Sequence, residues 1–340
     1  MDDKKSEIAL PGERQDNEER FDQRVRRVRG RWHEGVRLPI AVVVLLIAFF
    51  SFATDSFFSL RNLTALSGQG STLLLACTGA TFVILMGSID LAVGATVLLV
   101  GAVVVKLINA LGLALWAVPI GLALGGLLGL GNGLVFAFGA IPSFVVTLGS
   151  LSVFTGLAWN LLEGRALRFD STLFENLAIG QLIPRIPNIA LFAVGIWLVL
   201  VWVGAKTRFG RYMYAIGGGE AVARTSGVPV RRYKIYAFAL SGAMAGLAGT
   251  LAVARLGAAG PTLGTDLLLN TLAAIVVSGT SLSGGIGGVQ RTILGVLIIT
   301  LLDNGLNLMG VNQYTQMVIK GLVVIAAVLV SQDRRLGIVK

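Results

Sequence analysis

One cysteine, Cys77, and one histidine, His33, are all this sequence offers of the residues that most often carry bond-making chemistry. A single thiol excludes disulfides within the chain. The two residues together are too few for a zinc cluster, and the one histidine lies in the polar tail ahead of the first apolar run, which excludes a membrane-embedded Ser-His or Cys-His site. Charge is scarce too: Asp, Glu, Lys and Arg supply 14% of the 340 residues against 55% hydrophobic, and the mean hydropathy is +0.80. An ordinary soluble domain does not have that balance, so the chain reads as an integral membrane protein. The phosphate loop Gly-x-x-x-x-Gly-Lys-Ser/Thr is missing as well, because Gly204-Ala205-Lys206-Thr207 lacks the adjacent Gly-Lys pair. Without that loop the chain does not hydrolyse nucleotide itself. The glycines of Ser283–Gly288 follow no strand and read as a cytoplasmic hairpin between two spans. No cofactor and no metal is expected.

Glycine, by contrast, is abundant at 44 residues, as expected where helices approach closely in lipid or are interrupted there. The formal charge of +10 is concentrated in two places. Residues 1–37 hold ten of the 28 basic residues among nine acidic ones, and Gly204–Lys234 holds seven with a single acid, Glu220. Such placement is a topology signal and argues against a nucleic-acid partner. The amino-terminal segment is too long and too mixed in charge for a signal peptide, although Ser51-Phe52-Ala53 loosely resembles a cleavage site. It reads as a disordered cytoplasmic tail whose five arginines between Arg24 and Arg31 anchor topology or touch anionic lipid.

Runs near the 20-residue spanning length give an all-α membrane domain over residues 38–330 with ten spans. These are Leu38–Ala53, Ser71–Met86, Leu91–Ala110, Trp116–Phe138, Phe144–Leu162, Ile189–Val203, Tyr236–Ala252, Leu267–Val277, Ile293–Met309 and Tyr314–Val330. The eighth is too short to cross and reads as a broken or re-entrant helix. Six spans separate the Arg-rich tail from the 204–234 island, so both fall in the cytoplasm, as does the tail 331–340 with Arg334, Arg335 and Lys340. Five spans precede the external loop 163–188 and five follow it. By parity the second half runs inverted relative to the first.

Spacing marks helix faces. Gly121, Gly125, Gly129 and Gly133 recur every four residues, as do Gly242 and Gly246, and each row should receive another helix backbone. Asp90, in Gly87-Ser88-Ile89-Asp90-Leu91, sits between two apolar runs with hardly any loop; a cap for the following helix and a place on a transport route both fit it. Thr300, Asp303, Asn304 and Asn307 form a polar stripe at i, i+3, i+4, i+7, suited to inter-helix hydrogen bonds or to lining a polar route. Ser143, Thr147 and Ser150 form a weaker stripe that their own helix backbone could absorb. Within the island, glycines 217–219, a helix-forming run and Gly227-Val228-Pro229 predict a helix of about two turns over Glu220–Ser226.

At the island and beyond, the chain resembles the permease family of bacterial ABC importers for ribose, related monosaccharides and autoinducer-2. The matching text is Thr207-Arg208-Phe209-Gly210-Arg211, Ala215-Ile216-Gly217-Gly218, Ala223-Arg224-Thr225-Ser226-Gly227-Val228, Ser241-Gly242 with Ala245-Gly246, Gly279–Gly285 and Asp303-Asn304-Gly305-Leu306-Asn307-Leu308. Upstream, Gly87–Gly94 looks like the family's Gly-Gly-Ile-Asp-Leu-Ser-Val-Gly element, and Ile141–Gly156 is similar to its Pro-Ser-Phe-Val-Thr-Leu-Gly region. Leu268 and Asn270 stand where the family has an acidic pair, and Ala221 where relatives have a second glutamate.

The resemblance implies a multi-pass subunit of a bacterial inner membrane that works as a homodimer. Its partners would be two cytoplasmic ATPase subunits, or one duplicated ATPase, and a periplasmic substrate-binding protein. Gly219, Glu220, Ala221, Ala223, Arg224, Ser226 and Gly227 would form the helix that the ATPase grips. Glu163, Arg165, Arg168, Asp170, Glu175 and Arg185 would meet the binding protein. The translocation path would draw on Asp90, Ser143, Thr147, Thr300, Asp303, Asn304 and Asn307. The expected function is ATP-driven import of a monosaccharide or related polyol by alternating access. An ion-coupled secondary transporter using Asp90 or Asp303 is the alternative. An intramembrane aspartyl protease would need a Gly-x-Gly-Asp context that the chain lacks, and a passive scaffold would leave the polar stripe of the ninth span without a purpose.

Overall fold

The computed structural model describes residues 36–336. The amino-terminal tail with its Arg24–Arg31 cluster, the side chains of Arg334 and Arg335, and Lys340 lie outside the described residues. What is described is a helical bundle. Its elements are α1 (Val36–Ala53), α2 (Leu60–Leu85), α3 (Val93–Leu111), α4 (Ala117–Phe138), α5 (Ser143–Leu162), α6 (Thr172–Ile179) and α7 (Asn188–Lys206). There follow α8 (Arg208–Gly218), α9 (Glu220–Thr225), α10 (Val230–Leu256), α11 (Leu267–Val277), α12 (Val289–Leu308) and α13 (Gln313–Leu336).

Eight helices among the described residues are long and apolar enough to cross a membrane: α1–α5, α7, α10 and α12. The tenth predicted run, Tyr314–Val330, lies within α13. The eighth, α11, has 11 residues and reaches about 16 Å, roughly half a hydrocarbon core. It stops at Val277 and does not continue into 278–283. The second span begins earlier than its hydropathy suggests. Ser59 caps α2 by accepting from Asn62 N, so the polar stretch from Leu60 to Gly70 is already helical. Hydropathy could not reveal this, because Arg61, Asn62, Thr64, Ser67 and Gln69 lower the mean of the stretch while the cap and the backbone ladder still hold it helical.

The bundle has a centre and a rim. Helices α2, α3, α10 and α12 are mostly buried, whereas α1, α4, α5 and α7 turn most of their apolar side chains outward, as lipid-facing helices do. The glycine rows explain how α10 comes to the middle. Those of α4 and α10 interlock: a Cβ on Gly125 would lie 2.7 Å from Gly246 Cα, and one on Gly129 3.0 Å from Gly242 Cα. No side chain fits between backbones that close, so van der Waals contact there runs main chain to main chain. Away from the bundle's length, a two-residue ladder pairs β1 (Leu167–Arg168) with β2 (Ala258–Ala259), antiparallel, and straps the loop after α5 to the end of α10.

Two interruptions meet at the end of the bundle next to the island. At the end of α2, Gly87 takes a φ of +77°, and Gly87 N and Ser88 N return to Ile84 O and Val83 O. The loop 278–288 after α11 comes alongside, and Gly285 N donates to Leu85 O at 2.8 Å. Ser283–Gly288 packs on Gly87 and on Gly217 of the island, with Gly284, Gly287 and Gly288 buried and Ser283 and Ile286 exposed.

Replacing Gly125 with leucine should drive α4 from α10 and cost at least about 1–3 kcal/mol. Gly131→Ala, at a position with nothing within 4 Å, should be neutral or slightly stabilising. Thermal unfolding of the two variants in detergent checks the contrast, and equal melting temperatures would remove the glycine contact as a determinant of the fold.

Candidate functional site

A cavity of about 630 Å³ opens between α2, α10, α11, α12 and α13. Its wall is polar for a bundle this apolar. Gln69 and Thr72 come from α2, Arg255 from α10, Asn270 from α11, Thr300, Asp303 and Asn307 from α12, and Gln316 and Lys320 from α13. Lys320 Nζ lies 3.2 Å from Asp303 Oδ1, with both side chains buried. Asn270 Nδ2 donates to Asp303 Oδ2 at 3.2 Å, and Gln316 Nε2 donates to Asn307 Oδ1 at 2.8 Å. At the mouth, Gln313 Nε2 reaches Asp266 Oδ2 at 3.4 Å. Buried charges need partners of this kind, since an isolated ion in low dielectric is costly.

The predicted path residues separate into three groups. Thr300, Asp303 and Asn307 face the cavity. Asn304 turns the other way and forms a reciprocal amide pair with Asn62 of α2, at 2.8 and 3.0 Å. The i, i+3, i+4, i+7 stripe is thus divided between a cavity wall and a helix contact. Asp90, Ser143 and Thr147 lie elsewhere, at the interruption between α2 and α3. Ser143 Oγ accepts from Ile89 N at 3.1 Å and Thr147 Oγ1 from Leu91 N at 3.0 Å. Asp90 accepts from Ala92 N at 3.0 Å and from Ser241 Oγ of α10 at 2.8 Å. Ser150, the third member of the α5 stripe, donates to Asn132 of α4. These hydroxyls and the carboxylate satisfy broken backbone and neighbouring helices.

At the far end of α10 lies the island. Helix α8, which the sequence reading missed, fills the first half. Phe209 of α8 packs on Phe82 of α2 with ring centroids 5.1 Å apart, Tyr212 meets Tyr233 of α10 at 4.7 Å, and Tyr214 Oη donates to Gly287 O at 2.9 Å. Helix α9 then matches the predicted two-turn element. Gly227, at φ +81°, closes it: Gly227 N donates to Arg224 O and Val228 N to Ala223 O, a Schellman stop that favours glycine. Ala223 is buried, Gly219 is half-buried, and Ala221, Arg224, Ser226 and Gly227 are exposed. Glu220 is engaged twice, by Arg224 at 2.9 Å and by Lys234 of α10 at 2.8 Å. Partial burial raises its carboxyl, but the two cations outweigh that and hold it below its ordinary value. Both pairs therefore persist at neutral pH and are lost only as pH falls through that lowered value. Lys234 also sits over the Phe136 ring at 4.5 Å, which binds α9 to α4 as well as to α10.

A family model described as a branched-chain amino acid transport system permease component matches residues 62–328. The chain belongs to this permease family. It is 38% identical over 301 residues to the ribose import permease protein of Escherichia coli K12, covering 87% of this chain and 93% of that protein. The Bacillus subtilis ribose import permease protein is 37% identical, with 87% and 92% covered. The D-allose transport system permease protein of E. coli K12 is 35% identical, with 84% and 88% covered. No solved structure matches the chain.

In the permease, the loop residues predicted to meet a binding protein are mostly accessible. Glu163, Arg165, Arg168, Asp170 and Arg185 are exposed and Glu175 is half-buried. Glu163 and Arg165 already pair with each other at 2.6 Å. Phe169 and Phe174 stack edge-on at 5.0 Å beneath the loop and fix it to the bundle. Among the described residues no group of three or more His, Cys, Asp or Glu could hold a metal ion. Sequence reasoning missed Arg255, Gln316 and Lys320 on the cavity wall. Lys320 was readable as a lone cation within an apolar run, whereas Arg255 ends its helix and looked like a flanking charge.

Lys320→Met should strand Asp303 in the bundle and destabilise the permease by about 3–5 kcal/mol, while the double variant Asp303→Asn, Lys320→Met recovers much of the loss. Detergent melting curves of the two are the measurement; equal losses would mean that the pair does not act as a unit.

Proposed function

We propose that this permease is the membrane subunit of an ATP-driven, binding-protein-dependent importer of a monosaccharide or related polyol, working by alternating access. The observation that carries the reading is the construction of α10. Near one end Lys234 holds the island through Glu220. Ser241 ties its middle to the broken backbone at Asp90, and Arg255 at the other end enters the cavity. Lys234 and Arg255 are 21 residues apart, about 30 Å along one rigid helix. A displacement applied at the island therefore reaches the cavity wall without an intermediate flexible segment.

On this reading residues 204–234 form the coupling loop. Two cytoplasmic ATPase subunits, or one duplicated ATPase, grip the exposed face of α9, namely Ala221, Arg224, Ser226 and Gly227, with Val222 added from its exposure. Glu220 acts from within, holding α9 to α10. The loop 163–188 lies on the periplasmic side, where its charges meet the binding protein and tune encounter rate and specificity. Both termini are cytoplasmic, and the unit in the bacterial inner membrane is a homodimer. The sugar cargo agrees with the ribose and allose named for the relatives, and with a cavity volume inside the roughly 300–1,000 Å³ of small-molecule sites. The route within one subunit is assigned to the cavity face of α12, namely Thr300, Asp303 and Asn307, with Asp90, Ser143, Thr147 and Asn304 bracing it. The ion-coupled alternative finds no support: Asp90 is occupied by Ser241 and the backbone, and Asp303 is paired with Lys320.

Vesicles carrying the assembled importer should take up ribose or allose only with ATP and the binding protein, and an ion gradient alone should drive none. Glu220→Ala with Arg224→Ala should lower uptake about tenfold or more, equivalent to some 1.4 kcal/mol or more of lost coupling. Unchanged assembly and uptake in that variant would detach the island from energy transfer.

A further inference from the structure

Unmet hydrogen-bonding capacity lines the cavity. Arg255 Nε, Asn270 Oδ1, Thr300 Oγ1 and Asp303 Oδ1 are buried and have no hydrogen-bond partner, and all four residues line it. Lys320 faces Asp303 Oδ1 at ion-pair distance but outside hydrogen-bond alignment, so that oxygen retains a lone pair to offer. A buried polar atom left unpaired costs about 1–3 kcal/mol, so four such atoms lining one cavity call for a polar occupant, water or solute.

The identity of these atoms says what fits. Arg255 Nε can only donate, Asn270 Oδ1 and an ionised Asp303 can only accept, and the Thr300 hydroxyl does either. A carboxylate in their midst would face the two acceptor oxygens, and an ammonium would face the guanidinium. A hydroxyl donates and accepts at once, so adjacent hydroxyls on one ring answer the set. The formal charges of the lining balance, Arg255 and Lys320 against Asp266 and Asp303, which gives no excess of either sign to select an ion. Leu73, Leu263 and Leu267 supply aliphatic surface for the C–H face of a ring. Arg255 is also held in place by absence: a Cβ on Gly68 would lie 3.0 Å from its Cδ.

We propose that this cavity is a binding site for an uncharged, polyhydroxylated ligand of monosaccharide size, held by Arg255, Asn270, Thr300 and Asp303. The permease thus recognises its cargo itself and is more than a conduit for what a binding protein delivers. The inference rests on the sugar-import reading and adds to it a saturable site in a single subunit.

The test uses the full-length permease in lipid nanodiscs without ATPase or binding protein, and measures equilibrium binding of radiolabelled D-ribose and D-allose with L-leucine as competitor. Saturable binding of at least one sugar, not displaced by excess leucine, is expected. Asn270→Leu and Thr300→Val should each weaken it about tenfold, the loss of one hydrogen bond to a ligand group, while Thr300→Ser stays within about twofold. Monodisperse elution and an unchanged melting temperature show that each variant is folded. If one fails to fold, the wild-type competition still decides. No saturable sugar binding, displacement by leucine, or unaltered affinity in folded Asn270→Leu and Thr300→Val overturns the site. ATP-driven uptake by the assembled importer separates the two levels. Sugar uptake without binding by the permease removes this site alone, whereas no uptake of either sugar removes the sugar reading with it.

Discussion

A helix that breaks where protein covers it must find hydrogen bonds for its backbone among its neighbours, and that constraint organises this structure. The chain breaks between α2 and α3 and again after α11, and each break is repaired by particular neighbours. Ser143 and Thr147 of α5 accept from the amides of Ile89 and Leu91, and Asp90 accepts from Ala92 while receiving a hydrogen bond from Ser241. The loop after α11 repays its own interruption by donating from Gly285 to Leu85. Residues that look like transport chemistry in an apolar sequence thus act as backbone partners. Their contacts draw α2, α3, α5 and α10 to one point.

Around that point the bundle uses two kinds of contact with different consequences. The glycine rows of α4 and α10 bring main chains into direct contact with no charged side chain between them. The cavity side does the reverse. Between α11, α12 and α13 the contacts are polar and incompletely paired, with Lys320 and Asp303 buried and Asn270 and Thr300 retaining unused capacity, as does Arg255 of α10. Both kinds of contact meet on α10, which packs closely against α2, α3 and α4 at glycines and carries Arg255 into the cavity.

The island attaches to the same helix. Glu220 is the single acid among its cations and is used internally, binding α9 to α10 through Lys234, and through Lys234 over Phe136 to α4. The outward face of α9 is left to Ala221, Val222, Arg224 and the small residues that follow. The docked helix α8, fixed by Phe209, Tyr212 and Tyr214 to α2, α10 and the loop before α12, gives the island a firm base on the bundle.

By itself the sequence determined the membrane class, most of the spans, the two-turn helix of the island and its glycine stop. Each depends on local quantities: apolar length, charge placement, and a conformation that glycine adopts most readily. It also determined that the two glycine rows would each meet a backbone, since spacing alone sets a helix face. The tertiary structure decided which partner each polar group met. Thr300, Asp303 and Asn307 went to the cavity while Asn304, on the same stripe, turned to Asn62, because a helix buried on all sides assigns neighbouring positions to different helices. It decided that Asp90 and the α5 hydroxyls serve the backbone. It also brought Arg255, Asn270 and Lys320 from three separate helices to one cavity, a meeting that no periodicity within one segment encodes.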